Sequence, residues 1–587
     1  VLQPPVGGTL SGGGFVCYNT LPGNLTVTGY TGTIVRWERS INSDFSGATT
    51  INNTTATLTS AELGALTQTT YVRVVVSHNG YSTFGYASTI LTVKTTTWNG
   101  SAWSNLAPDI NTMIFFTGNY AENTSLSGCA IQVNNGAVVS ILPENTITLQ
   151  YNITVNSGSM VFQNNAHLLQ NTTTVNLGNV TFIRNSSSLF RLDYTLWSAP
   201  VTGQQLLAFS PNTLTDRFYE YKYDFNTNTN QNFEGYYHVD AATTNFVPAK
   251  SFLIRMPNVD SAAGYNGGTG QLVFPGNFTG VPNNGAYQRA LSVQGDRYTA
   301  IGNPYPSPIN VQAFFDANQS VLQNGSALYF WRKKNNTNAS SYATMTRDTY
   351  VSNPATGGNT GENQYGGEIW DNFFHNQVAP ANWVINPGQG FMVRTSSSLG
   401  SANVSFTNSM RRNVHNAQFF RQAAPDGTEA NSNFFLDITS SADAGRLAMV
   451  YSNTATTGMD HFRDAQKIFD SGVINFYTVA ENEKLVVQAR PFTASDVVQV
   501  GYKANAARQY TISVAETTGM FAQGQAIYLK DNQEGIIRNI TNNPYTFTTE
   551  AGTFDTRFEV AFSTVALGTD EVLADINNVV IFKNNGV

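Results

Sequence analysis

An all-β, multidomain chain is what three features of the sequence predict. Short runs of alternating apolar and polar residues, bounded by Gly, Asn or Pro, recur along the whole length and carry the period of half-buried strands. Helical periodicity is confined to one stretch, 311–323. The 587 residues also exceed what a single core serves, and at ~100 to 200 residues per domain they call for roughly three to five.

Composition narrows the class further. Lys and Arg number 31 against 38 Asp and Glu, a formal net charge of -7, so the positive field that phosphate backbones reward is missing and nucleic acid is not an expected partner. Charged residues make up 12%, about half the ~25% of ordinary soluble domains, while 41% hydrophobic and 12% aromatic residues suffice for packed cores. Asn, Thr, Ser and 49 Gly replace the missing charge, giving a neutral, polar surface. No apolar run is long enough for a transmembrane helix.

Residues 1–95 read as an Ig-like β-sandwich, with strands expected near 26–28, 33–38, 55–58, 71–77 and 89–93. Trp37 and Tyr71 sit where such domains place a core Trp and a late-strand Tyr. Cys17 falls on an early strand, but no second Cys follows Tyr71, so the usual intersheet bridge cannot form. Cys17 is therefore expected as a buried free thiol.

Residues 96–190 carry a repeat. Val133-Asn134-Asn135-Gly136-Ala137 returns as Val155-Asn156-Ser157-Gly158-Ser159, and Val175-Asn176-Leu177-Gly178 follows, with offsets of 156 − 134 = 22 and 176 − 156 = 20. A period in that range predicts a short β-solenoid whose coils bury their inner faces on one another. Cys129 is expected inside the first coil.

Residues 191–430 form an aromatic-rich β region with turn-rich insertions. Within it, 218–225 alternates with period two, so Tyr219, Tyr221, Tyr223 and Phe225 share one strand face. Residues 431–565 read as another β-sandwich, 566–575 as a linker, and 576 onward as a fresh strand.

No catalytic, cofactor or metal constellation emerges. The six histidines fall in no metal-binding spacing, and Gly268-Thr269-Gly270 and Gly388-Gln389-Gly390 lack the context of a dinucleotide loop. Asp531-Asn532-Gln533-Glu534-Gly535 misses the calcium-loop pattern. Glycoside hydrolysis needs two carboxylates across a cleft. Glu220, Asp224 and Glu234 beside the tyrosine row, or Glu368 and Asp371, are the sets that could serve, yet any strand-rich chain scatters carboxylates in this way, and the expectation is a protein without catalysis. Tyr219, Tyr221 and Tyr223 are candidate glycan contacts, against the plainer reading of a core face. Arg411-Arg412 and Arg332-Lys333-Lys334 are expected as solvated loop charge.

Several longer stretches carry a family likeness. They include Trp98-Asn99-Gly100-Ser101-Ala102-Trp103-Ser104, Leu196-Trp197-Ser198-Ala199-Pro200, Phe278-Thr279-Gly280-Val281-Pro282-Asn283-Asn284-Gly285, Ile301-Gly302-Asn303-Pro304-Tyr305-Pro306-Ser307-Pro308, Gly388-Gln389-Gly390-Phe391 and Phe406-Thr407-Asn408-Ser409-Met410-Arg411. Together they resemble large secreted surface proteins of Bacteroidota, of the Flavobacterium type, that leave the cell through the type IX secretion system. The last segment is similar to the opening of a type IX C-terminal sorting domain. That resemblance implies an export signal in Ile576, Val579, Val580, Ile581, Phe582, Lys583, Asn584, Asn585 and Gly586, read by the outer-membrane translocon and its shuttle protein. The plainer alternative is a final strand of the preceding domain. Asp260-Ser261-Ala262 resembles the O-glycosylation pattern of the same bacteria, with Ser261 as acceptor. The function implied is that of a non-enzymatic modular surface protein, an adhesin or a component of gliding motility or surface structure, with surface glycans or adhesion components as partners. The alternative is a secreted polysaccharide-binding or polysaccharide-degrading protein.

Overall fold

The computed structural model describes residues 3–79, 81–189, 193–226, 229–257, 272–331, 342–351, 382–414, 431–469 and 474–567. The fold is all-β, and among these residues the longest helix is Val311–Asn318. Asn310 caps that helix by accepting the Ala313 N–H at 2.9 Å, and its apolar face buries Val311, Phe314 and Phe315.

The N-terminal module is a sandwich of a three-stranded and a five-stranded sheet. Alternation along Thr70–Ser77 turns Val72, Val74 and Val76 inward to meet Trp37, Leu25, Leu58 and Leu91. The Trp37 indole N–H reaches the Thr55 carbonyl at 3.1 Å, so the largest core side chain leaves no donor unsatisfied. Tyr71 has the opposite parity and takes the outer face, where its ring meets Phe45 edge-on.

Only Val93 separates Gly85–Thr92, the last strand of the sandwich, from Lys94–Trp98, the first of a β-solenoid. Parallel ladders build its faces. Ala130–Val133 lies on Ile153–Val155, Val138–Ile141 on Ser159–Phe162, and Thr146–Leu149 on His167–Gln170. The in-register pairs Ile131↔Ile153, Val139↔Met160 and Ile147↔Leu168 are 22, 21 and 21 residues apart and fully or almost fully buried, so the repeat in the sequence is one coil of the stack. At its corners Asn156 donates to Asn134 at 2.9 Å, and Asn145 to Asn123 at 2.8 Å. Gly158 turns such a corner with φ +100, and a Cβ there would lie 2.2 Å from the Ala137 carbonyl. Val180–Leu189 follows the last coil and pairs antiparallel with Leu272–Pro282.

The cysteines correct the free-thiol expectation. Cys17 and Cys129 form a disulfide with Cα atoms 5.8 Å apart across a sequence separation of 112. Both are buried, but Cys129 packs with Met113, Ala130 and Phe115 on the outer side of the coil rather than with its interior. The missing partner of the sandwich comes from the neighbouring module.

Beyond the solenoid, two sheets cross at close range. One holds Tyr194–Ser198, Ser251–Arg255, Phe218–Asn226 and Gln231–His238; the other includes Tyr298–Gly302, Gly390–Arg394 and Leu328–Trp331. Gly302 and Gly390 are paired partners, and a Cβ on them would fall 2.4 Å from Ser198 Cβ and 2.6 Å from Ser251 Cβ. Ser198 and Ser251 are themselves paired, so two glycines of one sheet lie against two serines of the other.

Residues 432–561 form one large sheet that curls over a core containing Phe434, Leu436, Tyr502, Phe558 and Val560. Phe434 and Phe562, from regions far apart in its strand order, bring their rings to 6.1 Å, so the single sheet makes both layers of a sandwich. Its outer face, with Phe435, Val450 and Val487, packs on Tyr329 and Met392. Asp531 faces inward and pairs with Arg557 through Nη2 at 2.9 Å and Nε at 3.1 Å, while the Tyr545 hydroxyl donates to the same carboxylate at 3.0 Å. The segment nearest to a calcium loop thus directs its first carboxylate to an arginine.

Candidate functional site

The tyrosine row lies on the strand Phe218–Asn226, which forms a hairpin with Gln231–His238. Its register pairs Tyr219 with His238, Tyr221 with Tyr236 and Tyr223 with Glu234. Period two therefore places these six residues on one face, and Glu220, Lys222 and Asp224 with Tyr237, Gly235 and Phe233 on the other. The tyrosine face is turned toward the body of the molecule. Tyr219, Tyr221 and Tyr236 pack with Tyr298, Trp331 and Tyr342 against Leu253, Tyr329 and Met392. Tyr221 meets Tyr236 edge-on at 5.0 Å, and the Tyr236 and Tyr342 hydroxyls are 3.0 Å apart. Burial, followed by the Glu234 charge, drives the Tyr221 hydroxyl far above the ordinary tyrosine range. Tyr219 and Tyr221 are half-buried in this packing, and Tyr223, also half-buried, lies beside Gly295.

The carboxylates divide between the two faces. Glu234, on the tyrosine side, accepts the Tyr298 N–H at 2.7 Å and the Arg297 N–H at 3.2 Å; burial raises its pKa against these bonds. Glu220, on the other side, pairs with Lys250 at 2.5 Å and Lys222 at 3.2 Å. Burial opposes its ionisation, but the two lysines hold it below the usual range. Lys222 also binds the exposed Asp224 at 2.7 Å. Glu220 and Glu234 project from opposite faces of one hairpin and do not flank a common cleft, the geometry that glycoside hydrolysis needs.

Several stretches carrying the family likeness meet at a buried joint instead. The Ser198 N–H donates to the Gly388 carbonyl at 2.9 Å, Asn283 donates to the Pro304 carbonyl at 2.9 Å, and Asn303 donates to the Ser307 and Ile385 carbonyls, each at 2.9 Å. The Tyr305 hydroxyl reaches the Gly285 carbonyl at 2.6 Å. Arg411 corrects the expectation of solvated charge. It is 6% exposed and donates to Ser307 Oγ at 2.8 Å, to Asn284 Oδ1 at 3.0 Å and to the Leu168 carbonyl of the solenoid, with its guanidinium 5.1 Å from the Tyr305 ring centre. Burial lowers its pKa to about 10. Neighbouring Arg412 is half-buried, and among the described residues its guanidinium donates to the carbonyls of its own turn, those of Ser409 and Arg411.

A concavity that the sequence did not reveal lies at the other joint, beside the disulfide. It is a cleft of about 180 Å³ between the segment 17–20 and the outer side of the solenoid, lined by Tyr18, Gln132, Tyr151, Asn152 and Thr154 among others. Its two walls come from distant parts of the chain, and the Cys17–Cys129 pairing was the only signal that could have joined them.

The remaining sequence candidates, Ser261, Glu368, Asp371, the Arg332-Lys333-Lys334 cluster and the nine export-signal residues from Ile576 to Gly586, lie outside the described residues. Among the described residues no three His, Cys, Asp or Glu side chains gather where they could hold a metal ion, and no helix is long and apolar enough to cross a membrane.

Two family models match the chain: one for a domain of unknown function, DUF8693, over residues 92–562, and one for another, DUF8696, over residues 6–97. Their limits meet at the passage from sandwich to solenoid around Val93. No curated protein and no solved structure matches the chain.

Proposed function

The chain belongs to the DUF8693 family, and from that premise we propose that it is an extracellular modular surface protein, an adhesin or a component of gliding motility or surface structure, that works by presentation rather than catalysis. The observation that carries this reading is the Cys17–Cys129 disulfide, made by the chain's two cysteines across a module boundary. Such bonds persist in oxidising compartments, whereas the cytosol keeps thiols reduced. The 12% content of charged residues and the amide-lined solenoid corners support the same reading. Affinity in such a protein comes from many shallow contacts acting together.

The export route rests on the likeness of residues 576–587 to a type IX sorting domain, so that the translocon and its shuttle are the proposed partners of Ile576, Val579, Ile581 and their neighbours. The test is surface proteolysis in a type IX-secreting bacterium, comparing the intact reading frame with one deleted from Asp575 onward. Loss of surface delivery is expected in the deletion; equal delivery overturns the export reading. A second reading, polysaccharide binding, is supported by the tyrosine-lined, uncharged cleft beside the disulfide.

A further inference from the structure

We propose that the cleft between the segment 17–20 and the solenoid binds one ring of a neutral saccharide. Its volume, about 180 Å³, is below the ~300 Å³ at which sites for larger ligands begin, which suits a single six-membered ring with its substituents. Size therefore limits the occupant to one sugar unit at a time.

The lining selects the chemistry. Two tyrosines, Tyr18 and Tyr151, supply ring surface, and amides and hydroxyls of Asn19, Gln132, Asn152 and Thr154 supply hydrogen bonds. Among the described residues no Lys, Arg, His, Asp or Glu lines the cleft. A charged ligand would be desolvated there without a compensating partner, whereas a neutral polyol would not. The side chains of Tyr18, Gln132, Asn19 and Tyr151 donate no hydrogen bond to any described residue, so their polar atoms remain available to hydroxyl groups. Met113 and Ala130, on the outer side of the coil, supply the apolar part of the floor that the C–H face of a sugar requires.

The frame is organised in advance. Gln132 and Thr154 are register partners on adjacent coils, which fixes one above the other on the outer side of the parallel sheet. The Tyr151 backbone is held at both ends, its N–H donating to the Cys129 carbonyl at 2.7 Å and its carbonyl accepting from Gln170 Nε2 at 2.8 Å. Tyr18 stands edge-on to Phe115 at 5.5 Å. The disulfide ties the wall that carries Tyr18 to the wall that carries Tyr151, so little ordering remains for the ligand to impose.

The inference deepens the glycan-binding reading and is independent of the export route; a failed secretion test leaves it standing, and a failed sugar test leaves the export reading standing. The experiment titrates the full chain with the methyl glycosides of glucose, galactose, mannose and N-acetylglucosamine, and with glucuronic acid as the charged control, by saturation-transfer NMR. At least one neutral glycoside is expected to bind with a millimolar Kd that weakens about tenfold in Tyr151→Ala and in Gln132→Ala, while Tyr223→Ala leaves it unchanged. Gln132→Glu, which keeps the volume and adds a charge, serves as the second variant if Tyr151→Ala does not fold, and it too is expected to weaken binding. Absence of binding by all four neutral glycosides up to about 50 mM overturns the proposal. So does stronger binding of glucuronic acid, or binding that Tyr223→Ala removes and the cleft variants retain.

Discussion

Cys17 and Cys129 stand 5.8 Å apart at their Cα atoms with 112 residues between them, and their bond is a second covalent link between two modules that Val93 already joins. The sandwich is thereby held at two points on the solenoid rather than hinged at one. Replacing both cysteines by serine should lower stability by about 2–4 kcal/mol, the usual effect of losing a bond that closes a long loop. Thermal melts with and without reductant, combined with limited proteolysis around Val93, measure it. A wild-type profile indifferent to reductant would count against a structural role.

Arg411 and Arg412 are adjacent and should respond in opposite ways. Arg411→Met strands acceptors on Ser307, Asn284 and the Leu168 carbonyl in a buried joint, and a loss of about 2–4 kcal/mol is expected. Arg412→Met removes bonds within its own turn only and should cost less than about 0.5 kcal/mol. Urea midpoints of the two variants decide the matter; equal midpoints would place Arg411 outside the joint.

Gly302 marks the close crossing of two sheets. Gly302→Ala drives a Cβ to 2.4 Å from Ser198 Cβ, and overpacking of this kind costs about 1–3 kcal/mol. Ser198→Gly removes the nearest obstruction and leaves the Gln389 carbonyl at 2.8 Å, so the double variant should recover about 1 kcal/mol, part of the loss, relative to the sum of the singles. A double-mutant cycle that is strictly additive would refute the crossing.

Asp464 links stability to pH. Its side chain accepts the Ala489 N–H at 2.7 Å and the Asp460 N–H at 2.5 Å, but burial outweighs these bonds and pushes its carboxyl up to about 7. Because the folded value is raised above the unfolded value of ~4, the native state holds a proton that the unfolded chain lacks between about pH 4 and 7. The contribution of this group is fully present below that window, declines as pH rises through it and is flat above. Denaturation midpoints of the wild type and Asp464→Asn at pH 4.5, 6 and 7.5 should differ in slope, with the asparagine variant flatter. Parallel slopes would assign the pH dependence elsewhere.

Strand periods were legible wherever one side-chain face is buried. The spacing from Asn134 to Asn156 is the coil of the solenoid because each coil must repeat its inner residues to stack them, as Ile131 does on Ile153. Contacts between modules were not legible. Cys17 had no partner within its own sandwich, and the chain's other cysteine, Cys129, read as an interior residue of a different module, so the pairing went unread. Arg411 reads as a surface charge because nothing nearby in the chain neutralises it; its acceptors come from residues as distant as Leu168. The tyrosine row was legible as a face, but which side of the hairpin turns inward depends on its pairing with Gln231–His238 and on the sheet beneath.

The coil stack runs from its passage out of the sandwich at Lys94–Trp98 to the antiparallel strand that closes it, which turns the solenoid into a ruler. One rung advances the axis by about 4.8 Å, and parallel ladders stack Thr112–Phe116, Ala130–Val133 and Ile153–Val155 one on the next. Tandem duplication of a single 21- or 22-residue unit would lengthen the spacer by one graduation and leave both fittings intact. Reach can therefore grow in whole steps by the simplest genetic event, without redesign of either end.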